Sequence, residues 1–465
     1  MRIYSCAENY KLYHWNMLDL LEVIEPNTIS SIVTDPPYEL NFMGKWWDNS
    51  WIAFQKETWE KCLKALKPWW YLLAFWGSRT YHRIACAIED AGFEIRDCIM
   101  WLYGSWFPKS MNIWLAIDKK NWVESEVVWE WKSWVSSRAY QSEEQTTAWE
   151  YQIKKASNEW NWWGTALKPS YEPIIVARKP LEWSCTDNVI KYGVGGINID
   201  ECRVGTDDKL VPSISWWSVW LWEKIKWHEY TPSDLGRFPA NTILTYDESD
   251  FEEVCSGFPN SKWGKYSIGS VRKAQPDNCY QLWFTKKEYN VQTAPDSYWD
   301  SGSAARYFYT AKASKRDRDE WLDGFETKKT WELQWGRKEW SAGSIMQNAD
   351  GWTRVNPYAW TWTPKKNVHP TVKPCDLMQY LVRLVTPNGW TVLDPFNWSG
   401  STGKAVMYEN KDRNKNYKYI WIELTEEYLP IAKARIEYVI NVAEEKQEDK
   451  QPTLFDLSEK DGETI

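Results

Sequence analysis

The chain has 465 residues, a net charge of −8, four histidines and nine cysteines that form no C-x-x-C pair. This length predicts two or three domains, and the cysteine and histidine patterns indicate neither a disulfide framework nor a metal site. No apolar stretch reaches the length of a membrane span and the N-terminus lacks the apolar core of a signal peptide, so we expect a cytoplasmic protein.

The negative charge is concentrated at the C-terminus. Residues 441–465 carry eight acids and three lysines, which gives this segment −5 and the rest of the chain −3. A nearly neutral body excludes binding to a polyanion through bulk charge, so such binding would need a local basic patch. Two groups are candidates, although the first could equally be a solvated helix face: Arg306, Lys312, Lys315, Arg316 and Arg318, and then Lys365, Lys366 and Lys373.

The first predicted strand, Ser31–Thr34, runs straight into Asp35, Pro36, Pro37 and Tyr38. Two consecutive prolines fix two φ angles and remove two N–H donors, which predicts a rigid turn at the end of the strand. The Asp35 carboxylate and the backbone carbonyls are then acceptors beside a flat ring. This combination suits an extruded base with an exocyclic amino group. A plain surface turn is the alternative.

The following segments alternate between helical and strand patterns. Residues 39–51 are predicted to form a mobile substrate loop. Helices are predicted over 54–66 and 81–91, and strands over 71–75 and 95–102. A strand over 171–177 is predicted to pair with 95–102 as a long-range hairpin, which makes 103–163 an insertion that we expect to be partly disordered. Residues 181–364 show no clear period and are predicted to have mixed structure.

The C-terminal third has the pattern of a nucleotide site. After a helix predicted over 376–385, a strand over 391–393 leads into Asp394 and a loop of small residues, and a second apolar strand ends in Glu423. Small residues let the backbone approach a ligand, and an acid at the next strand end can hold ribose hydroxyls. The alternatives are a helix N-cap for Asp394 and a solvated surface acid for Glu423. A last helix is predicted over 426–439.

Three motifs occur in a defined order: D-P-P-Y at 35–38, H-P-T-V-K-P at 369–374 and D-P-F-N-W-S-G-S-T-G at 394–403. Together they resemble the amino DNA methyltransferases, and the catalytic motif precedes the cofactor motifs as in the permuted β-type group. The resemblance implies an α/β fold, with a Rossmann-like methyltransferase sheet, an antiparallel last strand and an inserted target-recognition region. It also implies S-adenosylmethionine as cofactor and double-stranded DNA as partner. The oligomeric state stays open.

The resemblance also implies residue roles. Asp35 and the Pro36 carbonyl would accept hydrogen bonds from the N–H groups of the target amine. Pro37 and Tyr38 complete the catalytic motif, and the Tyr38 ring would stack on the base. The implied cofactor-binding residues are Thr371, Lys373, Asp394, Pro395, Phe396, Ser399, Gly400, Ser401, Thr402 and Glu423. The D-P-P-Y motif favours adenine. The alternatives are the cytosine amino group, or a DNA- or nucleotide-binding protein without catalysis.

These assignments divide the chain into six parts. We expect a catalytic half over 1–102, the insertion over 103–163, a closing strand over 164–180, target recognition over 181–364, a cofactor-binding half over 365–442 and an acidic disordered tail over 443–465. The resemblance also implies a bacterial or phage restriction–modification context.

Tryptophan is unusually abundant. The chain contains 38 Trp and 22 Gly, whereas average usage predicts about 33 Gly in a chain of this length. Tryptophan also stands where turn chemistry favours glycine, at Trp69, Trp70, Trp76, Trp390, Trp398 and Trp421. The resemblance implies glycine at 398 and 421. We interpret many of these tryptophans as occupying glycine positions, and we expect Trp398 to impair function most.

Overall fold

The computed structural model describes the chain in segments, and the statements below concern those segments. They are residues 2–39, 50–103, 111, 113–123, 126–134, 148–155, 159–160, 163–167, 169–193, 195–205, 236–246, 258, 260–263, 300–303, 305, 308–312, 316–320, 322, 324–327, 345–347, 353–355, 366–369 and 371–448. Most of the predicted substrate loop over 39–51 and most of 206–365 therefore lie outside the described residues.

Regular structure in the N-terminal part alternates between strands and helices. The elements are β1 (Arg2–Ala7), β2 (Tyr10–His14), α1 (Met17–Val23), β3 (Ile29–Thr34), α2 (Lys56–Ala65), β4 (Leu66–Phe75), α3 (Tyr81–Asp90) and β5 (Glu94–Tyr103). Next come α4 (Ile113–Lys120), β6 (Glu126–Trp134), β7 (Ala148–Lys155), β8 (Tyr171–Arg178) and α5 (Cys185–Tyr192).

The remaining elements are short until the C-terminal part. They are β9 (Thr242–Tyr246), β10 (Asn260–Trp263), β11 (Asp300–Ser303), β12 (Tyr309–Lys312), α6 (Arg316–Asp319), β13 (Ile345–Gln347) and β14 (Thr353–Val355). They are followed by α7 (Cys375–Val385), β15 (Thr391–Asp394), α8 (Ser401–Asp412), β16 (Lys418–Glu423) and α9 (Leu429–Glu448).

Ten strands form one mixed sheet in the order β1-β2-β16-β15-β3-β4-β8-β5-β9-β12. The run from β2 through β4 is parallel, and β8 is antiparallel to β4. The predicted α/β class with an antiparallel strand is therefore confirmed. The predicted neighbourhood of β8 and β5 is also confirmed. However, β8 lies inside the sheet between β4 and β5, and does not close it at an edge.

Several predicted boundaries differ from the structure. The predicted helix over 54–66 is a 3-10 turn over Ile52–Phe54 followed by α2, and the last helix continues to Glu448, into the predicted tail. β4 begins at Leu66, because a register shift between the pairs Ile29–Leu66 and Ser31–Tyr71 accommodates the Lys67–Trp70 bulge. The hairpin β1–β2 and α1 were not predicted.

The central strands of the sheet are apolar because they lie in the core. β3 and β4 are buried on both faces, as expected for central parallel strands covered by helices. Three large tryptophans, Trp59, Trp70 and Trp76, are fully buried in this core beside Leu72 and Ile32. Trp70 and Trp76 were interpreted as glycine positions, and the fold uses their side chains as apolar packing.

Residues Tyr103–Tyr171 form a compact unit of their own. Its described part contains α4 and the antiparallel hairpin β6–β7. The predicted insertion over 103–163 thus contains regular structure, although residues 135–147 at the end of the hairpin lie outside the described residues.

Four tryptophans have left-handed backbone conformations. They are Trp51, Trp69, Trp122 and Trp398, with φ between 51° and 67°, and they are four of the seven non-glycine residues with positive φ in the described segments. Bulky residues rarely adopt this conformation, whereas glycine adopts it freely. The backbone therefore supports the interpretation of Trp69 and Trp398 as glycine positions and adds Trp51 and Trp122 to it.

Candidate active site

The site lies at the sheet edge where the neighbouring parallel strands β3 and β15 end. β3 ends at Thr34 and leads into Asp35, and β15 ends at Asp394. The Thr34 hydroxyl donates a hydrogen bond to Asp394 Oδ1 at 2.7 Å. Because the carboxyl ends of parallel strands meet at one edge, the fold brings together two motifs that are far apart in sequence.

Three charged side chains and one hydroxyl form a buried cluster. Lys373 Nζ donates to Asp35 Oδ2 at 2.7 Å and lies 3.5 Å from Glu172 Oε2. The Tyr38 hydroxyl donates to the same Glu172 oxygen at 3.0 Å. Burial lowers the pKa of Lys373, but the two carboxylates outweigh burial and raise it, so the ammonium is charged at neutral pH.

The other carboxylate oxygen of Asp35 has no partner in the part of the chain that the structure describes. Oδ1 is buried and accepts no hydrogen bond from any described residue. Pro36 and Pro37, both buried, have no N–H to offer it. Buried acceptors normally have partners, so this oxygen is available to a donor on a ligand. Since the Asp35 side chain is only 14% exposed, the motif is not a plain surface turn.

The Tyr38 ring is fixed from two sides. It packs against Trp76 with ring centroids 5.3 Å apart, and the Lys373 ammonium lies 5.3 Å from its centroid. Burial raises the pKa of the Tyr38 hydroxyl well above its usual range, and the charges of Asp35 and Glu172 add to this effect. The hydroxyl therefore keeps its proton and acts as a donor.

The Asp394 carboxylate secures the loop that follows it. It accepts hydrogen bonds from the Thr34 and Thr402 hydroxyls, each at 2.7 Å, and from the Phe396 N–H at 3.1 Å. Burial raises the pKa of Asp394 to about 6 although these hydrogen bonds lower it. The N-cap of α8 is Gly400, so Asp394 is not a helix N-cap.

The small residues of this loop pack against α9. Gly400 has φ +78°, and a Cβ there would lie 3.1 Å from Ala432, so only glycine fits without a shift. Arg435 Nη1 donates to the Ser399 carbonyl at 2.6 Å and lies within hydrogen-bond distance of the Ser399 and Ser401 hydroxyls. The polar atoms of both serines thus contact Arg435.

Glu423 ends β16 and is 4% exposed, so it is not a solvated surface acid. Its Oε2 accepts the Trp398 N–H at 2.6 Å, and its Oε1 accepts the Thr425 N–H at 2.7 Å. Burial raises the pKa of Glu423 to about 8. At neutral pH the carboxyl is therefore largely protonated.

A largely apolar cavity lies beside Glu423, between the loop after β15 and the start of α1. The space between its walls measures about 530 Å³, a volume that includes open solvent. Its apolar walls include Trp15, Pro37, Ile52, Pro395, Phe396 and Ile422. Three predicted site residues, Pro37, Pro395 and Phe396, therefore share one cavity with Glu423.

The Trp398 indole lies between the catalytic turn and the H-P-T-V-K-P motif. Its Nε1 donates to the Asp35 backbone carbonyl at 2.5 Å, and its ring centroid lies 5.2 Å from that of His369. The side chain is only 9% exposed. It thus occupies the space that separates Asp35 from the loop after β15.

The H-P-T-V-K-P motif is held in place through His369. Its Nδ1 donates to the Thr371 carbonyl at 2.5 Å, and burial lowers the pKa of His369 to about 3, so the ring is neutral. Arg318 of α6 donates to the His369 carbonyl at 2.7 Å. Arg318 and the buried Lys373, two of the residues predicted for a local basic patch, are thus engaged in protein contacts. Three other candidates, Arg306, Lys315 and Lys365, lie outside the described residues.

Sequence reasoning missed two residues of this region. Glu172 is the second residue of β8, and its signal was an acid followed by proline near the start of the apolar run Y-E-P-I-I-V-A. Arg435 is fully buried in α9, and its signal was a cation on the apolar face of the last predicted helix. Both were visible only as charges within apolar segments, without an indication of their partners.

Within the described segments, no group of three His, Cys, Asp or Glu side chains could hold a metal ion. Among the described helices, none combines the length and the apolar character that crossing a membrane requires.

Comparison with known proteins adds a family and several relatives. A family model described as DNA methylase matches residues 29–434. The type II methyltransferase M.HpaI of Haemophilus parainfluenzae is 32% identical over 94 residues, which is 19% of this chain and 30% of that protein. The type II methyltransferase M.HindIII of Haemophilus influenzae is 22% identical over 151 residues, 32% of this chain and 38% of that protein. The chain thus spans well under half the length of these curated relatives.

Similar solved structures include M1.HpyAVI, with 13% identity and a TM-score of 0.34 over 92% of this chain and 98% of that one. The PvuII DNA methyltransferase, described as cytosine-N4-specific, has 12% identity and a TM-score of 0.37 over 94% and 92%. A putative DNA modification methylase from Thermus thermophilus, solved with S-adenosyl-L-methionine, has 11% identity and a TM-score of 0.34 over 92% and 93%.

Proposed function

The chain belongs to the DNA methylase family, and from that premise we propose that it transfers a methyl group from S-adenosylmethionine to the exocyclic amino group of adenine at specific sites in double-stranded DNA. One observation carries this proposal. Oδ1 of Asp35, which has no partner among the described residues, lies just beyond the end of β3, where a base extruded from the duplex could present its amino group.

The residues of the catalytic turn would activate the amine. Its lone pair is delocalised into the ring, which makes the nitrogen a poor nucleophile. Asp35 Oδ1 and the Pro36 carbonyl would accept the two N–H bonds and draw the nitrogen toward tetrahedral geometry. The new N–CH₃ bond would replace the S–CH₃ bond of the donor, with the bonding pair left on sulfur, and the nitrogen would give up one proton to Asp35 and from there to solvent. Positioning and electrostatics supply the acceleration.

The residues at the other strand ends fit the nucleoside half of the cofactor. S-Adenosylmethionine would supply a methyl group activated by its sulfonium. The cavity walls Phe396 and Ile422 suit an adenine ring, and the Glu423 carboxyl suits ribose hydroxyls. Asp394 would act by holding the loop, since each of its two oxygens already accepts two protein hydrogen bonds. Thr371 and Lys373 would line the methionine side.

Adenine is proposed because of the motif D-P-P-Y, and the cytosine amino group is the alternative with the same chemistry. A second candidate function rests on Trp398, whose indole donates to the Asp35 carbonyl and lies where the methyl donor must approach. With that indole in place, the chain would bind DNA or nucleotide without turnover. The permuted β-type order, a cytoplasmic location and a bacterial or phage restriction–modification context belong to the same proposal.

Modified-base sequencing of DNA from cells that express the protein tests this function. We expect N6-methyladenine at one recognition sequence, and none in cells that express Asp35→Ala, because that change removes an acceptor used mainly in the transition state. The variant should still bind S-adenosylmethionine in calorimetry. N4-Methylcytosine would reassign the base, and normal methylation by Asp35→Ala would refute the role of Asp35. Cofactor binding without any methylated base would favour the second candidate.

A further inference from the structure

Glu172 is held in the site by topology. β8 is antiparallel to β4, with Ile174 opposite Phe75 at the end of β4. The first residues of β8 therefore lie at the edge where the parallel strands have their last residues. This arrangement places Glu172 beside the Asp35 turn, although it belongs to none of the three motifs.

In this cluster the single ammonium of Lys373 faces two carboxyl groups. Its ammonium contacts two carboxylates, Asp35 Oδ2 at 2.7 Å and Glu172 Oε2 at 3.5 Å. Glu172 is 15% exposed in its side chain and also accepts the Tyr38 hydroxyl. Burial raises the pKa of Glu172, and the Asp35 charge adds to this effect while Lys373 opposes it. One ammonium, two carboxyl groups and the Tyr38 hydroxyl thus lie in contact within a single buried cluster.

We infer that Glu172 is a positioning residue for the methyl transfer, which keeps Lys373 on one oxygen of Asp35 and holds the Tyr38 ring by its hydroxyl. Because the Glu172 carboxyl also attracts the Lys373 ammonium, Lys373 does not bridge the two carboxylate oxygens of Asp35. Oδ1 of Asp35 therefore stays open for the amine of the target base. This inference rests on the proposed function, because it assigns to Oδ1 the role of amine acceptor.

The kinetic test uses Glu172→Gln, which keeps the shape and the acceptor oxygen but removes the charge. We expect kcat to fall by about a hundred-fold, as misplaced catalytic groups do, with the dissociation constant of S-adenosylmethionine unchanged within about two-fold. The acidic limb of the kcat–pH profile should move to lower pH, since one negative neighbour is lost. Glu94→Gln is the matched control, because Glu94 pairs with Arg178 at the opposite end of β8, and it should keep the wild-type kcat and pH profile.

Two outcomes are decisive in this test. Turnover of Glu172→Gln at the wild-type rate with an unshifted profile overturns the inference. Retained turnover in Asp35→Ala instead overturns the proposed function. If Glu172→Gln does not fold, Tyr38→Phe replaces it, because that change removes the donor to Glu172 and keeps the ring. A wild-type kcat in that variant also overturns the inference, because the inference requires the Tyr38 hydroxyl to hold the ring.

A second measurement does not depend on turnover. Carbon-13 NMR of the chain with labelled glutamate carboxyls, assigned by the loss of one signal in Glu172→Gln, gives the titration midpoint of Glu172. In Asp35→Asn this midpoint should fall by about one pH unit or more, because a neighbouring negative charge is removed. An unchanged midpoint would show that Glu172 and Asp35 are not coupled and would overturn the inference, even in a chain that does not methylate DNA.

Discussion

At the residue scale, Trp398 is the side chain with the most direct conflict with the proposed chemistry. It is buried, has a left-handed backbone and donates to the carbonyl of Asp35. Trp398→Gly would relieve the backbone and clear the space between Asp35 and the loop. We expect S-adenosylmethionine to bind about ten-fold more tightly or better, a change of about 1.4 kcal/mol, because the indole no longer has to leave this space when the cofactor enters. Calorimetric titration of both proteins measures this.

Trp122→Gly is the matched control for that prediction. Trp122 also has a left-handed backbone, but it is 95% exposed and lies in the separate unit Tyr103–Tyr171. Its replacement should leave cofactor affinity unchanged. Equal dissociation constants for the wild type and Trp398→Gly would show that the indole does not obstruct the site.

Glu423 predicts how cofactor affinity depends on pH. Its pKa of about 8 means that the carboxyl is mainly protonated at pH 7 and mainly ionised at pH 9. The ionised form is the stronger acceptor for ribose hydroxyls. The affinity for S-adenosylmethionine should therefore rise from pH 7 to pH 9, and binding near pH 7.5 should release protons into the buffer.

Calorimetry in buffers of different ionisation enthalpy measures both effects. Glu423→Gln should bind more weakly at pH 9 and show neither the pH dependence nor the proton release. A wild-type affinity that is flat across this range would contradict the assignment of Glu423 to the ribose.

At the element scale, a buried ion pair joins α7 to α8. Arg383 donates to both oxygens of Glu409, which is fully buried. Glu409→Ala would leave a buried guanidinium without its carboxylate, and we expect it to lower the free energy of unfolding by about 3–5 kcal/mol. Urea denaturation followed by circular dichroism measures the loss.

Two further variants test whether the unpaired guanidinium causes this loss of stability. The double change Arg383→Met with Glu409→Leu should recover much of the loss, because no unpaired charge remains. Glu60→Ala, which breaks an exposed pair with Lys56 in α2, should have no measurable effect. If Glu409→Ala is as stable as Glu60→Ala, the buried pair does not stabilise the helix packing.

The elements that sequence predicted well are those whose signals are local. Strand β3 leads into Asp35 and β15 ends in Asp394, and an apolar run followed by an acid is sufficient to recognise both. The position of β8 depends on which strands pair, and periodicity carries no information about partners. For this reason sequence analysis found the strand but not the role of Glu172, and it assigned Arg318 to a basic patch although it donates to His369.

At the scale of the whole molecule, residues 181–364 remain predicted to set sequence specificity. Their described parts contribute β9 and β12 to one edge of the main sheet, and α6 contacts the site through Arg318. Exchange of this region with that of a relative should move the methylated site, because the remaining parts contain the proposed catalytic and cofactor residues. Methylome sequencing of the chimera measures the result, and an unchanged recognition sequence would contradict the prediction.

The four tryptophans with left-handed backbone conformations also have a consequence for the codons of the gene. A left-handed backbone conformation favours glycine, which has no Cβ. If glycine had been replaced by tryptophan independently at each of the four positions, each replacement would need its own cause. The codon UGA, which some genetic codes read as tryptophan and others as glycine, gives one cause for Trp51, Trp69, Trp122 and Trp398 and for the shortage of glycine. We expect UGA at these four codons and, in the natural host, a transfer RNA that delivers glycine to them. UGG codons at these positions would refute this explanation.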